Sequence, residues 1–415
     1  MTVVRHHPEV DAMSWEAARR VAAGSARPLA AVPVPLAEAL GGRLAEPLRA
    51  LVAVPGADVS AMDGYAVAGA GPWRLVGRVL AGEAGRPGEL RAGEAVEIAT
   101  GAPVPAGAAA VLPYERAAAG AGRVDGPAEP GRHIRRRGED IPEGAVVLEA
   151  GAAVTPVVLG LAAALGHDDL LVRPRPAVTV LVTGDEVVHK GLPGPGRVRD
   201  AIGPFLPGLV EWAGGRVADV LHLPDGPAPL RAALAVPPGE GSDVVVVCGA
   251  SSKGPADHLR AVLGGLGADV LVDGVAVRPG HPQALARLPR GPLVVGLPGN
   301  PFAALGAALT LLVPILRASA GTPVVPGAGT LLGPVPGAGA LSEPVPGAGT
   351  LSGPVRAHPR DTRLVPVRRS AGAAVPVGHD RPGSLWGAAL ADALAVVPPG
   401  WSGGRVELIE LPPGV

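Results

Sequence analysis

A chain of 415 residues is too long for one ordinary hydrophobic core, so we expect several domains. Hydrophobic residues make up 47% of the chain but aromatic residues only 2%, so the cores must be packed from small aliphatic side chains. The formal net charge of −1 provides no general attraction to nucleic acid or to an anionic membrane, and we expect neither as a partner.

The cysteine content and the first residues both point to a reducing compartment. Cys248 is the single cysteine and cannot form an internal disulfide bond. The N-terminal sequence lacks the basic stretch, apolar run and small-residue cleavage site that together mark a secretory signal. We therefore expect a cytoplasmic protein in which Cys248 is a small core residue.

The first half of the chain is predicted to be helical at first and then β-rich. Two helical apolar faces recur in the first fifty residues, one made by Trp15, Ala18 and Val21 and the other by Leu36, Leu40 and Leu44. From residue 51 to about residue 149, short apolar stretches are broken by Gly and Pro, which indicates a small β domain. A further helix is predicted over residues 155–165.

The middle of the chain alternates strand-like and helix-like segments, which is typical of a parallel sheet covered by helices. We expect a doubly wound α/β domain, in which ligands bind where the carboxyl ends of the strands meet the following loops. The predicted strands are Val178–Val182, Val217–Leu221, Asp243–Cys248 and Leu293–Leu297. The predicted helices lie near residues 203–212, 230–234, 256–266 and 300–316.

The last of these helices is apolar enough to resemble a membrane span. Its residues 302–316 are nearly all apolar, but this segment is shorter than the roughly 20 residues that a span needs. It also contains Gly306 and Pro314 and directly follows a strand and a turn. We therefore predict a buried core helix and no membrane association.

A near-perfect ten-residue repeat built on VPGAG follows within residues 323–355. The repeat lacks charge and bulky side chains and cannot bury a core, so we predict a linker or an extended loop. An alternative is that the repeat serves as a docking tract, but a linker already accounts for its Pro/Gly composition. Beyond the repeat, Arg363–Val367 and Arg405–Leu411 are predicted strands of a small C-terminal β domain.

Two predicted strands run into loops rich in glycine and acidic residues. The strand ending at Val182 continues as TGDE, where glycine allows close backbone approach and two carboxylates can hold a hard divalent cation. The strand ending at Cys248 continues as GASSKG, and Asp257 follows at a predicted helix start; its small residues and backbone amides suit an anion. A solvated loop and a simple helix cap would account for the same residues.

Two further motifs offer contacts to an anion. GLPGNP at residues 296–301 predicts a strand, a tight turn and a helix capped by Asn300. The free N–H groups at the start of this helix would point at a ligand. The alternative is a turn with a purely structural role. Arg278 and His281 of RPGHP end another strand-like segment, and arginine can bind phosphate oxygens through two parallel hydrogen bonds. Together the loops predict a phosphate-bearing substrate bridged by a divalent metal.

The N-terminal half of the chain contains three further polar motifs. They are SAMDGYAV at residues 60–67, TGAPVP at 100–105 and RRRGEDI at 135–141. With TGDE, the loop ending in Ala256-Asp257, RPGHP and GLPGNP, they occur in the order and at the spacings of one known family. On these seven motifs, the chain resembles the molybdopterin molybdenumtransferase family, which includes MoeA and the C-terminal domain of gephyrin.

The resemblance covers essentially the whole chain and implies four domains per subunit and a homodimer. It implies an elongated discontinuous domain at residues 1–50 and 141–176, a small β domain at 51–140, a molybdopterin-binding α/β domain at 177–322, and a C-terminal β domain at 356–415 after the 323–355 linker. The active cleft would lie between the α/β domain of one subunit and the SAMDGYAV domain of the other. Molybdopterin adenylyltransferase and other cofactor-assembly proteins would be further partners.

The resemblance also implies a reaction and its residues. The family inserts molybdate into adenylylated molybdopterin, hydrolysing the pyrophosphate bond in the presence of Mg²⁺ and releasing AMP. The implied catalytic residues are Asp63, Thr100, Asp140, Glu186 and Asp257, and the implied metal-binding residues are Glu186, Asp225 and Asp257. The implied substrate-binding residues are Ser251, Arg278, His281, Pro298, Gly299, Asn300, Pro301, Arg360 and Ser384.

Departures from the family pattern leave a second function open. They are Cys248-Gly249-Ala250 in a loop that is usually Ser-Gly-Gly, Ala201 after Asp200, Gly226 after Asp225, and His281 in place of a lysine. A catalytically weakened paralogue that binds molybdopterin or serves as a scaffold would accommodate them. A third interpretation keeps only the resemblance of the α/β domain to molybdopterin adenylyltransferases, and the N-terminal motifs argue against it.

Overall fold

The computed structural model describes residues 12–82, 88–235, 241–249, 258–289, 291–322, 348–370 and 373–412. As far as these residues extend, the chain forms two compact units. The first unit comprises Met1–Val32, Gly41–Arg43 and Arg173–Val415, and the second comprises Pro33–Leu40 and Leu44–Val172.

A six-stranded sheet is the centre of the first unit. Its order is Arg216–Leu223, Ala177–Thr183, Val244–Cys248, Leu293–Leu297, Ala284–Arg287 and Asp269–Asp273. The first four strands are parallel, which confirms the predicted parallel sheet. Ala284–Arg287 pairs antiparallel with both of its neighbours, and neither it nor Asp269–Asp273 was predicted as a separate strand. Every residue of the three inner parallel strands is buried, because both faces of the sheet are covered by helices.

Helices pack on both faces, as expected of a doubly wound fold. Successive residues of a strand point to opposite faces, so Val246 belongs to one core and Val245 to the other. The core that contains Val246 is closed by Trp15–Ser25, Leu206–Trp212 and the long helix Pro301–Ser319. The core that contains Val245 is closed by Pro227–Ala235 and Leu259–Gly265.

The apolar helix Pro301–Ser319 lies in the interior of this unit. It has 19 residues, and 89% of its most apolar window is buried inside the protein. A π-helical turn at Ala308–Leu312 interrupts it, and the residues of that turn are all buried. The prediction of a buried core helix is confirmed.

The N-terminal helix Trp15–Ser25 packs in the α/β core, although we expected residues 1–50 to belong to an elongated domain. The Ser14 hydroxyl caps the helix by accepting a hydrogen bond from the Ala17 amide at 3.2 Å. Trp15 is 1% exposed, and its indole N–H donates to the Thr310 hydroxyl at 3.2 Å. A long-range contact therefore overrides the expected boundary.

The second helix predicted in the first fifty residues is wrong. Residues 32–44 form the strands Val32–Pro35 and Arg43–Leu44 with a single 3₁₀ turn, Leu36–Glu38, between them. Prolines at 33 and 35 remove backbone donors, and glycines at 41 and 42 disfavour a helix, so the leucine spacing does not produce one. These two strands flank Asp169–Arg173 in a three-stranded sheet.

A closed β-sheet forms the C-terminal part of the first unit. The strands follow the order Val277–Arg278, Thr362–Ser370, Ala373–Pro376, Ala348–Leu351, Gly404–Glu410 and Ala393–Val397. Ala393–Val397 also pairs with Thr362–Ser370, which closes the sheet around a small core, and the short helix Trp386–Leu390 packs near it. Ala348–Leu351 falls within the predicted linker, so that prediction is wrong for these residues; residues 323–347 lie outside the described part of the chain.

The second unit is mainly β, with one helix. Its six-stranded sheet has the order Ala110–Pro113, Gly64–Val67, Glu94–Ile98, Trp73–Val79, Arg123–Asp125 and Ala118–Gly120. Two short ribbons pair Val59–Ser60 with Ile134–Arg135 and Leu48–Arg49 with Val146–Leu148, and a 3₁₀ turn spans Tyr114–Arg116. The predicted helix at 155–165 is present as Pro156–Ala164, with the Thr155 hydroxyl accepting from the Val158 amide.

The buried contact between Trp15 and Thr310 gives a prediction about stability. Thr310→Val keeps the shape but leaves the indole N–H without an acceptor, so we expect a loss of about 1–3 kcal/mol in the free energy of unfolding. Urea denaturation of the wild type, Thr310→Val, Trp15→Phe and the double variant measures the coupling. If Thr310→Val lowers the free energy of unfolding as much in the Trp15→Phe background as in the wild type, the hydrogen bond does not stabilise the helix.

Candidate functional site

In the second unit, the structure brings Asp63 and Thr100 together. One Asp63 carboxylate oxygen accepts hydrogen bonds from the Thr100 amide at 2.7 Å and from the Thr100 hydroxyl at 3.0 Å. The backbone amide first and the hydroxyl second lower the pKa of Asp63 below its ordinary value. The Asp63 carboxylate is therefore ionised at neutral pH and lies at the surface, where it can contact a ligand.

The RRRGEDI motif lies beside SAMDGYAV. Strand Ile134–Arg135 pairs with Val59–Ser60, and the Asp140 carboxylate forms an ion pair with Arg135. Both side chains of this ion pair remain partly exposed. The structure thus brings Asp140 to the same ribbon as the motif that carries Asp63, although each was only a polar loop in the sequence.

Asp58 holds the basic triplet in place. Its carboxylate accepts hydrogen bonds from the Arg137 amide at 2.9 Å and from the Arg136 guanidinium at 2.6 Å. These two contacts, the amide first, lower the pKa of Asp58. By composition alone the triplet would be ordinary solvated surface, but these contacts order the loop that leads to Asp140.

Tyr114 is a polar residue near Asp63 that sequence reasoning missed. Its amide donates to the Asp63 carbonyl at 3.3 Å and its hydroxyl donates to Glu97 at 2.7 Å. Burial, followed by the Glu97 carboxylate, raises the pKa of Tyr114 to about 12. No local sequence signal marks it, because its neighbours Asp63 and Glu97 come from other segments of the chain.

In the first unit, three loops begin at the same level of the sheet. Val182 lies opposite Cys248, and Cys248 lies opposite Leu297, so the segments after these residues emerge side by side. Gly249 has a φ of +97°, and a Cβ at this position would lie 2.9 Å from the Thr183 carbonyl oxygen. Glycine is therefore required where these loops approach one another.

Cys248 itself is a core residue, as predicted. The thiol is fully buried at the end of its strand, and burial raises its pKa, with a smaller contribution from Asp200. A thiol held protonated in this way is a poor nucleophile and a poor metal ligand.

Two acidic residues of neighbouring loops meet at this edge of the sheet. The Asp185 amide donates to the Asp225 carboxylate at 3.1 Å, and the Asp225 amide donates to the Asp185 carboxylate at 3.2 Å. Glu186 and Asp225 were expected to be metal ligands, whereas the pair that the structure joins is Asp185 and Asp225. Asp257 and Ser251 lie outside the described residues.

A cavity of about 480 Å³ lies between the loops of the α/β domain and the C-terminal β-sheet. It contains Arg278, His281, Pro298 and Asn300, four of the nine residues predicted to bind substrate. The C-terminal β-sheet domain supplies Arg356, Ala357, His358, Arg363, Asp380 and Pro382. The predicted residues Arg360 and Ser384 are not among those that line the cavity.

The cavity is basic. Three arginines and two histidines line it, against the single carboxylate of Asp380. Asp361 accepts a hydrogen bond from Arg278 at 2.6 Å, and Asp380 forms an ion pair with Arg363, so both guanidinium groups are held in fixed orientations. His281 is oriented by its Nδ1, which lies 2.9 Å from the Val275 carbonyl oxygen. The arrangement suits a small anion with several oxygens.

The start of helix Pro301–Ser319 differs from the prediction. Asn300 occupies the N-cap position but makes no side-chain capping hydrogen bond. The first free amides are satisfied by the Pro382 carbonyl, which accepts from Phe302 at 2.9 Å and from Ala303 at 3.3 Å. The expected free N–H groups are therefore occupied by the C-terminal β-sheet domain, and the cavity must bind anions mainly through side chains.

The fold and the cavity together define a class of protein. A doubly wound α/β domain presents its loops to an anion pocket that is completed by a C-terminal β domain, and a second β unit carries a separate acidic motif. A family profile described as "MoeA N-terminal region (domain I and II)" matches residues 13–166. A second profile, "Probable molybdopterin binding domain", matches residues 179–318.

Curated relatives and solved structures agree with these profiles. Molybdopterin molybdenumtransferase 2 of Mycobacterium tuberculosis is 38% identical over 325 residues, covering 74% of this chain and 79% of the relative. The molybdopterin molybdenumtransferase of Synechococcus elongatus is 37% identical over 308 residues, covering 70% and 76%. The crystal structure of the molybdopterin biosynthesis MoeA protein from Pyrococcus horikosii has a TM-score of 0.75 and 28% identity, covering 96% and 99%. The chain belongs to the molybdopterin molybdenumtransferase family and is an enzyme of the transferase class.

The contact between Asp63 and Thr100 gives a prediction about protonation. Thr100→Val removes the hydroxyl but keeps the backbone amide, so we expect the pKa of Asp63 to rise while remaining below its ordinary value. The matched variant Thr100→Ser keeps the hydroxyl and should leave the pKa unchanged. A ¹³C NMR titration of the labelled carboxylate measures both, and an equal pKa in the valine and serine variants would contradict the assignment.

Proposed function

We propose that this protein inserts molybdate into adenylylated molybdopterin and releases AMP, as a cytoplasmic enzyme of molybdenum cofactor assembly. The observation that carries this proposal is the basic cavity, which combines Arg278 and His281 with basic side chains of the C-terminal domain in a member of this family. Both substrates are anions, and a cavity with an excess of fixed positive charge attracts them.

The arginines of the cavity bind a tetrahedral oxyanion, which is molybdate or a phosphate group of the adenylylated substrate. Arg278 and Arg363 are held by Asp361 and Asp380, so little side-chain entropy is lost when the anion enters. The positive charge stabilises negative charge on the oxygens as bonds to the central atom change. Pro298 and Asn300 shape the adjacent wall for the pterin.

The acidic motif of the second unit serves the same reaction. An aspartate is ionised at neutral pH, and Thr100 lowers the pKa of Asp63 further, so Asp63 acts as a hydrogen-bond acceptor or a base and not as a proton donor. Asp140, held by Arg135, provides a second carboxylate on the neighbouring ribbon. These residues position the substrate and accept a proton from attacking water during cleavage of the pyrophosphate bond.

The acidic residues of the first unit fit Mg²⁺. In the pair formed by Asp185 and Asp225, each carboxylate accepts the amide hydrogen bond of the other residue through one oxygen, and carboxylate oxygens are the ligands that this hard cation prefers. Glu186 follows Asp185 directly, and we propose that Glu186, Asp225 and Asp257 hold the ion, with Asp185 orienting Asp225. Mg²⁺ bound there would neutralise charge on the pyrophosphate.

A direct assay tests this function. Purified protein given adenylylated molybdopterin, molybdate and Mg²⁺ should release AMP, and Arg278→Gln should lower the rate by about 100-fold, since it removes one fixed positive charge from the oxyanion. A matched control is Arg369→Gln, an arginine of the same β-sheet that pairs with Asp392 and does not line the cavity; its rate should be close to that of the wild type.

The kinetic constants of Arg278→Gln identify the bound oxyanion. A raised KM for molybdate identifies the cavity as the molybdate site, and a raised KM for the adenylylated substrate identifies it as a phosphate site. Tight binding of molybdopterin by the wild type without any release of AMP would contradict the proposed transfer and favour the binding-protein alternative.

We also propose that the active form is a homodimer in which the two sets of site residues come from different subunits. Asp63→Asn and Arg278→Gln should then each lose most of the activity when assayed alone. After subunit exchange, mixed dimers would each hold one intact site, so the mixture should recover about a quarter of the wild-type rate. Light scattering should give the mass of a dimer, and a monomeric mass or no recovery would contradict this arrangement.

A further inference from the structure

Three side chains in the first unit place possible metal ligands close together. Among the residues that the structure describes, His189, Asp200 and His222 are the one group of at least three His, Cys, Asp or Glu residues whose ligand atoms all lie within 4.8 Å of one another. His189 Nδ1 is 3.5 Å and His222 Nε2 is 3.8 Å from the same Asp200 oxygen, Oδ2. The group differs from the predicted magnesium ligands, which are all carboxylates.

The fold brings these residues together from three separate segments. His222 lies near the end of strand Arg216–Leu223, opposite Val182 of the neighbouring strand. His189 and Asp200 follow the short parallel strands Val187–Val188 and Val198–Arg199 directly. The register of the two short strands therefore sets His189 beside Asp200, and His222 approaches the same carboxylate from the carboxyl edge of the six-stranded sheet.

Asp200 is held so that one oxygen faces the two histidines. Its Oδ1 accepts hydrogen bonds from the Ile202 amide at 3.0 Å and the Gly203 amide at 2.9 Å. The Asp200 side chain is 8% exposed, whereas each histidine side chain is 42% exposed. A Cβ at position 203 would lie 2.4 Å from Oδ2, so glycine there leaves room for this orientation.

The distances between the groups favour a metal over a simple ion pair. Separations of 3.5 and 3.8 Å are too long for good hydrogen bonds between an imidazole and a carboxylate. A tetrahedral zinc site with ligands at 2.0–2.1 Å has ligand-to-ligand separations of about 3.4 Å, close to those in this group.

We propose that His189, Asp200 and His222 bind one divalent transition metal of the zinc or cobalt class. Two imidazoles and one carboxylate are the ligands that this class prefers, whereas Mg²⁺ prefers oxygen ligands alone. Three protein ligands on an exposed edge leave a fourth position for water or a substrate oxygen. The bound metal joins the loop after TGDE to the neighbouring strand. This inference does not depend on the proposed transferase reaction.

Titration of the full-length, metal-free protein with Co²⁺ tests the site. One equivalent should bind and produce the visible absorption bands of four-coordinate cobalt, and Zn²⁺ should displace it. His189→Gln, His222→Gln and Asp200→Asn should each weaken binding by at least about 100-fold. Circular dichroism of the metal-free variants shows whether each one is folded like the wild type.

Two matched controls separate this site from other ligands on the chain. His167→Gln removes a histidine of the second unit, and Asp225→Asn removes a predicted magnesium ligand; both should keep wild-type affinity for Co²⁺. Millimolar Mg²⁺ should not displace the cobalt. The proposal is overturned if the wild type binds no Co²⁺ or Zn²⁺, if the histidine variants bind as tightly as the wild type, or if Mg²⁺ competes.

Discussion

The register of three buried parallel strands is the constraint on which the first unit depends. Val182, Cys248 and Leu297 lie side by side, so the segments that follow them start at one level of the sheet. Parallel pairing with helices on both faces requires continuous burial, and the runs of small aliphatic residues provide it without aromatic bulk. Arg216–Leu223 pairs in parallel with Ala177–Thr183 in the same sheet, so Asp185 and Asp225, which are 40 residues apart in sequence, also come into contact.

The parts of the fold that could be predicted are those that local patterns encode. The strand Leu293–Leu297 has the predicted bounds. A short apolar run between two turns is compatible with few structures other than a buried strand. The strands Asp269–Asp273 and Ala284–Arg287 were missed because each is short and neither is buried along its whole length, so its apolar run is weak in the sequence. Likewise, Ala348–Leu351 belongs to a repeat whose composition favours a linker, yet strands on both sides supply its hydrogen bonds.

The site residues that could be predicted are those in motifs whose residue types already indicate a chemical role. Asp63 and Thr100 are in contact, and Arg278 and His281 share a cavity. The residues that the C-terminal domain contributes to the cavity were harder to predict. In the sequence Arg363 is an ordinary strand residue, and only the folded chain places it in the cavity beside the loops of the α/β domain. The histidine group was missed for the same reason: His189 and His222 are each unremarkable alone, and only the strand register brings them to Asp200.

A crystal structure of the protein soaked with molybdate or tungstate tests the central claim most directly, because anomalous scattering locates the metal without assumptions about the ligand. The account predicts one strong peak inside the basic cavity, within hydrogen-bonding distance of the Arg278 or Arg363 guanidinium group. A structure with an empty cavity and the peak elsewhere on the chain would contradict the assignment of this cavity as the oxyanion site of the transferase.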